Sequence, residues 1–219
     1  MKTVRPRLFA AALALAAIAT TAVAAPQASA APAPRTPAKV VYLTFDDGPS
    51  RHTPAVLDVL KKHEAKGTFF MVGSAARANP TVVRRVKAEG HAVGNHTFTH
   101  PWLTKRSAQA IRTELRRTDA VIGRTTCMRP PGGFVSPTVR QVAKTEGKQV
   151  ILWSVDPADW RRPGVQSITN GVLRAARPGS VVLMHDGGGD RTQSVQALDR
   201  VLTRLSAQGY RFETLPACR

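Results

Sequence analysis

Seven short apolar, β-rich runs alternate with stretches of helical periodicity along this chain, and that alternation restricts the fold more than any other feature. The runs fall at residues 39–45, 68–72, 91–94, 127–129, 149–155, 181–184 and 210–214. Between them, Thr53-Pro54 reads as an N-cap followed by proline at the first helical position, and Asn79-Pro80 and Ser136-Pro137 open two further helices. Ser107 caps a helix over 108–122, and the periodic stretches 166–176 and 194–208 complete the set. Gly67, Gly90, Gly147 and Gly209 follow helices as stop signals. Repeated βα units with these spacings predict one α/β domain with a parallel sheet and right-handed crossovers. Seven strands suit a barrel-like closure.

Residues 1–30 are predicted to lie outside that domain. Lys2, Arg5 and Arg7 precede an apolar stretch over 8–25, and Ala28-Ser29-Ala30 is an A-x-A cleavage signal. The expectation is a secretory signal peptide cut before Ala31, a Pro/Ala-rich leader over 31–38, and a catalytic domain over 39–219. The protein is then secreted, with no membrane span after cleavage, since no other stretch reaches the roughly 18 apolar residues a spanning helix needs. The formal charge is +18, of which Lys2, Arg5 and Arg7 carry three, leaving +15. Such a charge invites polyanions. Nucleic acid is disfavoured, because no recognition motif is present and aromatic residues are only 5% of the chain. For an exported monomer, anionic cell-wall polymers are the expected electrostatic partner. In an oxidising compartment the two cysteines, Cys127 and Cys218, predict a disulfide.

The chemistry concentrates in two segments: Thr44-Phe45-Asp46-Asp47-Gly48-Pro49 and Asn95-His96-Thr97-Phe98-Thr99-His100. One aspartate and two histidines make an open N,N,O site for a divalent metal. Adjacent side chains diverge at a strand end, so the second aspartate stays free to take a proton from water. His96 and His100 face one side if their segment winds helically. The same ligand set occurs in iron(II) oxygenases, but the spare carboxylate favours hydrolysis. Three more segments follow: Arg129-Pro130-Pro131-Gly132-Gly133, Asp156-Pro157-Ala158-Asp159-Trp160 and Leu183-Met184-His185-Asp186. All five come just after a strand run, at the rim where parallel α/β barrels build their sites. His52, His63 and His91 have no such company and read as structural.

In order and spacing the five segments resemble the polysaccharide deacetylase family, whose catalytic unit is the NodB-homology domain (carbohydrate esterase family 4). The resemblance runs from about Val40 to Thr214. It implies a distorted (β/α)7 barrel that removes N-acetyl groups from amino sugars of a polysaccharide such as peptidoglycan or chitin. It further implies Asp47, His96 and His100 as ligands of a divalent metal, with zinc expected. Asp46 is then the general base, held ionised and aimed by Arg129. His185 is the acid, its pKa raised by an aspartate of the fourth motif, either Asp159 or Asp156. Trp160 and Leu183 line the acetyl pocket, and the Gly132 backbone N–H is an oxyanion donor. Where this chain has Gly132 the family usually has an aromatic residue, so the loop is expected to be looser and the sugar groove to lack one wall. The rival activities are cleavage of O-acetyl esters, as in xylan, and glycan binding without catalysis. The complete set of Asp46, Asp47, His96, His100, Arg129 and His185 argues against the second rival.

Overall fold

Strand β1 (Lys39–Asp46) shows how the sequence builds this molecule. From Leu43 to Asp46 every residue is buried, the mark of a parallel strand covered on both faces. Its odd positions, Val41, Leu43 and Phe45, join Val56, Leu57 and Leu60 of helix α1 (Thr53–Lys62) and Leu198, Val201 and Leu202 of α7 (Thr192–Ala207) in one apolar cluster. Its even positions turn the other way, as the period of two demands. Tyr42 packs with Phe70, Leu215 and the cystine, while Thr44 and Asp46 meet the buried Arg129. The computed structural model describes residues 1–3 and 39–218, so the predicted leader and nearly all of the predicted signal peptide lie outside the described residues.

Around β1 the other strands run parallel: β2 (Gly67–Met71), β3 (Ala92–Asn95), β4 (Cys127–Met128), β5 (Gln149–Val150), β6 (Val181–His185) and β7 (Tyr210–Phe212). The order is β5-β4-β3-β2-β1-β6, and β7 pairs with the first residues of β1, Lys39 to Val41. Outside are α2 (Gly73–Ala78), α3 (Pro80–Ala88), α4 (Ala108–Ile122), α5 (Pro137–Thr145) and α6 (Val165–Ala175), with α1 and α7. No ladder joins β5 to β6. A single bridge, Val155 to Val182, stands between them. The sheet is therefore a curled half-barrel, the distorted (β/α)7 arrangement. Among the described residues no helix is long and apolar enough to cross a membrane.

Several local expectations hold. Ser107 and Ser136 accept bonds from Ala110 N and Val139 N as N-caps, and Gly90, Gly147 and Gly209 take positive φ after helices. Others need correction. Thr53 does not cap α1; its hydroxyl donates to Asp186 Oδ2 at 2.6 Å. Asn79 makes no side-chain cap on α3, its amide instead donating to Ala75 O. Gly67 belongs to β2, and the left-handed residue after α1 is Glu64, φ 51°.

Cys127 and Cys218 form the disulfide, which ties β4 to the last turn of the described chain across 91 residues. A loop of that size restricts the unfolded chain by about 4 kcal/mol. The double variant Cys127→Ser/Cys218→Ser is accordingly expected to unfold at markedly lower denaturant. A midpoint equal to that of the native protein would refute this.

Candidate active site

The C-terminal ends of β1, β3, β4 and β6 converge on one cavity of about 520 Å³. Its lining includes Asp46, Asp47, His96, His100, Gly132, Trp160, Leu183 and His185. The sequence-predicted site residues therefore share one wall, with two exceptions. Arg129 and Asp159 are fully buried and act from behind it.

The two aspartates diverge because Asp47 adopts φ 71°, a left-handed conformation that Asp tolerates better than most residues. Asp47 Oδ1 lies 3.1 Å from His100 Nε2 and 3.4 Å from His96 Nε2. Ligand atoms of these three residues all fall within 4.8 Å of one another. His96 Nδ1 sits 2.7 Å from the Arg129 carbonyl oxygen, which can only accept. Nδ1 therefore carries a hydrogen and Nε2 is the nitrogen turned toward Asp47, the orientation in which an imidazole ligates a metal. Burial works to raise the Asp47 carboxyl, but hydrogen bonds from His100 and His96 outweigh it and hold the group far below the usual carboxylate range. The residues present fit a divalent ion.

His96 and His100 are not brought together by a helical turn. Residues 96–100 form a loop, bent by Thr97 at φ 67° and His100 at φ 58°. Positive φ at a β-branched residue is an outlier that its surroundings must impose. Here Asn95 Oδ1 accepts from Thr97 N, and Gly73 N and Ser74 N at the start of α2 donate to Thr97 O and Phe98 O. Glu114 of α4 does the most, accepting from Phe98 N at 2.8 Å, Thr99 N at 2.7 Å and Thr99 Oγ1 at 2.9 Å. Sequence reasoning missed Glu114, because nothing in its spacing marks a carboxylate that serves a loop 15 residues upstream. Glu114→Ala is expected to weaken metal binding about 10- to 100-fold, the usual effect of losing a ligand's support. Zinc titration of the folded variant against a chromophoric chelator checks this, and unchanged affinity would refute it.

Arg129 is the largest fully buried side chain. Its Nη1 donates to Asp46 Oδ1 and Thr44 Oγ1, both at 2.8 Å, Nε to Ile151 O at 3.2 Å, and Nη2 to Leu152 O at 3.1 Å. Its guanidinium lies over the Phe70 ring, 4.2 Å from the centroid. Burial lowers the Arg129 pKa, and the Asp46 charge opposes that. Asp46 thus has one oxygen fixed by Arg129 while Oδ2 points toward His96 Nε2, 3.8 Å away.

Asp159, not Asp156, is the aspartate beside His185. Asp159 Oδ1 lies 2.7 Å from His185 Nδ1, and Oδ2 accepts from His185 N at 2.9 Å and Ser194 Oγ at 2.6 Å. Asp156 is exposed and accepts from Ala158 N within its own turn. With Nδ1 committed to Asp159, His185 presents Nε2 to the cavity. Burial disfavours the charged ring, but the Asp159 hydrogen bond and charge, reinforced by Asp46 and Asp47, raise the pKa above its ordinary value.

Trp160 and Leu183 both line the cavity, Trp160 exposed and Leu183 buried. Gly132 has φ 65°, and a Cβ there would lie 2.8 Å from the Phe134 ring. The groove consequently does not lack a wall beside Gly132, since Phe134 supplies one from two residues on. A side chain at 132 would be both strained and crowded. His63 pairs with Asp199, and His91 Nδ1 accepts from Gly67 N, as suits structural residues.

The sequence model for polysaccharide deacetylase matches residues 33–151. A peptidoglycan-N-acetylglucosamine deacetylase of Bacillus cereus is 42% identical over 184 residues, covering 81% of this chain and 86% of its own. A chitooligosaccharide deacetylase of Rhizobium leguminosarum bv. trifolii is 40% identical over 195 residues, with 80% and 90% covered. Among solved structures, a family 4 carbohydrate esterase from Streptomyces lividans, in complex with acetate, superposes with a TM-score of 0.77. Its identity to this chain is 32%, with 82% of this chain and 94% of that one covered.

Proposed function

The chain belongs to the polysaccharide deacetylase family, hydrolases of the amide bond in N-acetyl sugars, and on that footing we propose that it deacetylates amino sugars of a cell-wall polysaccharide outside the cell. The observation that carries the reading is the division of labour around one cavity. Asp47, His96 and His100 converge on one point, Asp46 is held by a buried cation, and His185 is held by a buried anion. Zinc suits two imidazoles and a carboxylate. A divalent ion at that point supplies Lewis acidity, polarising the acetyl carbonyl and easing the ionisation of water.

The remaining steps belong to the side chains. Asp46, held by Arg129, takes a proton from the water that attacks the acetyl carbon. Gly132 N–H offers a hydrogen bond to the oxygen as its charge grows. His185, protonated because of Asp159, gives its proton to the sugar nitrogen as the C–N bond breaks. Acetate and a free amine result. Leu183 and Trp160 give the acetyl methyl an apolar seat. Each proton transfer contributes about 10²- to 10⁴-fold.

Peptidoglycan and chitin oligomers should lose acetyl groups when incubated with zinc-loaded protein, as read by mass spectrometry with acetate measured in parallel. A chelator should stop the release. If neither polymer yields acetate from folded, metal-loaded protein, the reading is wrong.

A further inference from the structure

Behind the histidine loop sits a buried ion pair that the chemistry above does not use. Lys148, just before β5, is only 4% exposed. Its Nζ donates to Asp119 Oδ2 on α4, to Thr125 O at 2.8 Å and to Thr125 Oγ1 at 2.9 Å, so all three ammonium hydrogens find acceptors. Lysine is seldom buried without a partner, and a buried pair is weak evidence of stabilisation on its own account. Its further contacts run toward the site. Asp119 Oδ1 and Leu115 O both accept from Asn95 Nδ2, each at 2.8 Å. A carbonyl and a carboxylate facing an ammonium only accept, so the fully buried Asn95 must turn its nitrogen toward α4 and its oxygen the other way. That oxygen accepts from Thr97 N at 2.9 Å. Thr97 is where the loop bends, at φ 67°, and its own hydroxyl is buried with no partner among the described residues. Left-handed backbone at a β-branched residue is imposed by its surroundings. The bend lets His96 and His100, on either side of it, bring Nε2 to within 3.4 and 3.1 Å of Asp47 Oδ1.

We propose that the Lys148–Asp119 pair is a positioning device for the metal-ligand set: through the Asn95 amide it fixes the Thr97 bend that aims both imidazoles at one point. The inference rests on the divalent-metal site of the reading above and extends that site's support to residues outside the cavity lining. The Asp119 side chain keeps 19% of its surface in solvent, so it is Lys148 that holds the carboxylate inward against Asn95. Support of this kind acts on metal affinity, because a ligand already aimed loses less freedom when it binds the ion. It is separate from Glu114, which holds the Phe98 and Thr99 N–H groups on the far side of the bend.

Zinc titration of the full chain against a chromophoric chelator tests this, using Asp119→Ala, Asn95→Ala, their double variant, and the neutral pair Asp119→Asn/Lys148→Met. Each single alanine variant should weaken zinc binding about 10- to 100-fold, the usual effect of losing a ligand's support. The double variant should fall no more than about twofold below the weaker single one, because both changes cut one chain of contacts. The neutral pair should bind zinc as the native protein does, since an asparagine oxygen still accepts from Asn95 and no buried charge is left alone. Native affinity in Asp119→Ala would overturn the proposal. So would single effects that multiply in the double variant, or loss of zinc by the folded neutral pair. Melting temperatures are measured alongside, with Cys127→Ser/Cys218→Ser as a variant that loosens the same sheet and leaves the chain of contacts intact. Zinc affinity that merely followed melting temperature across the whole set, the cystine-free variant included, would make the pair structural only and overturn the proposal. The readout does not depend on catalysis. Zinc held by the native protein and lost by the alanine variants supports the proposal even if no polymer yields acetate, whereas a native protein that binds no zinc overturns it.

Discussion

Asp46→Asn is expected to keep its metal and lose turnover by at least about a hundredfold, the scale of a missing general base. Asp47→Ala should do the opposite, losing metal affinity and regaining part of its activity when metal is added. The structure gives each expectation a cause. Asp47 Oδ1 is 3.1 and 3.4 Å from the two imidazole nitrogens, so its removal breaks the ligand set. Asp46 gives one oxygen to Arg129 at 2.8 Å, a bond that an asparagine oxygen still accepts, so the shape survives without the basicity. The Asn variant should also be less stable, because Arg129 is fully buried and would lack its counter-charge. Uncompensated buried charges cost about 3–5 kcal/mol. Activity must therefore be normalised to folded protein. Plasma mass spectrometry for metal, run beside acetate release, decides the assignment. If Asp46→Asn lost its metal and Asp47→Ala kept it, the two roles would be exchanged.

The sequence was most readable where local chemistry and global packing agree. β1 and β6 lie on apolar runs, and α4 falls on the predicted span 108–122. The 149–155 run failed as a strand for a reason no run of apolar residues can show. It pairs as β5 only at Gln149 and Val150. After that the Ile151 and Leu152 carbonyls turn to the buried Arg129, and Val155 bridges to β6. The demand of one buried guanidinium for acceptors overrode strand propensity. The histidine loop failed similarly. A four-residue spacing suggests a helix, but Glu114, Asn95 and the start of α2 hold the backbone otherwise, and these are distant in sequence. α2 was missed because six small and polar residues carry no periodicity. Its first residue must be glycine, since a Cβ at Gly73 would lie 2.5 Å from the Phe98 ring. The motifs did mark residues that gather around one cavity. What they left open, which aspartate lies beside His185 and what stands beside Gly132, only the folded packing shows: Asp159 in the first case, Phe134 in the second.

Asp159→Asn should move the alkaline limb of the pH–rate profile to lower pH. In the proposed mechanism a protonated His185 expels the amine, so the rate is expected to fall as pH rises through its pKa. In the native protein burial works against the charged ring, but Asp159 at 2.7 Å, with Asp46 and Asp47, raises that pKa above the ordinary 6.5. Removing an opposite charge at this distance lowers an imidazole by about 1–3 units. On the alkaline side of both limbs the variant should therefore lose about 10- to 1,000-fold, and the deficit should shrink as pH falls toward the variant's own, lower pKa. The same pair contributes to stability. A raised folded pKa means that this contribution is complete below the unfolded ring's 6.5 and disappears as pH rises through the folded value. The variant's melting temperature should accordingly approach that of the native protein at high pH and fall behind it at low pH. Ser194→Ala, which removes only the 2.6 Å hydroxyl bond to Asp159 Oδ2, should shift the limb in the same direction by less. A loss uniform across pH, with the limb where the native protein has it, would show that Asp159 holds the loop without tuning the acid.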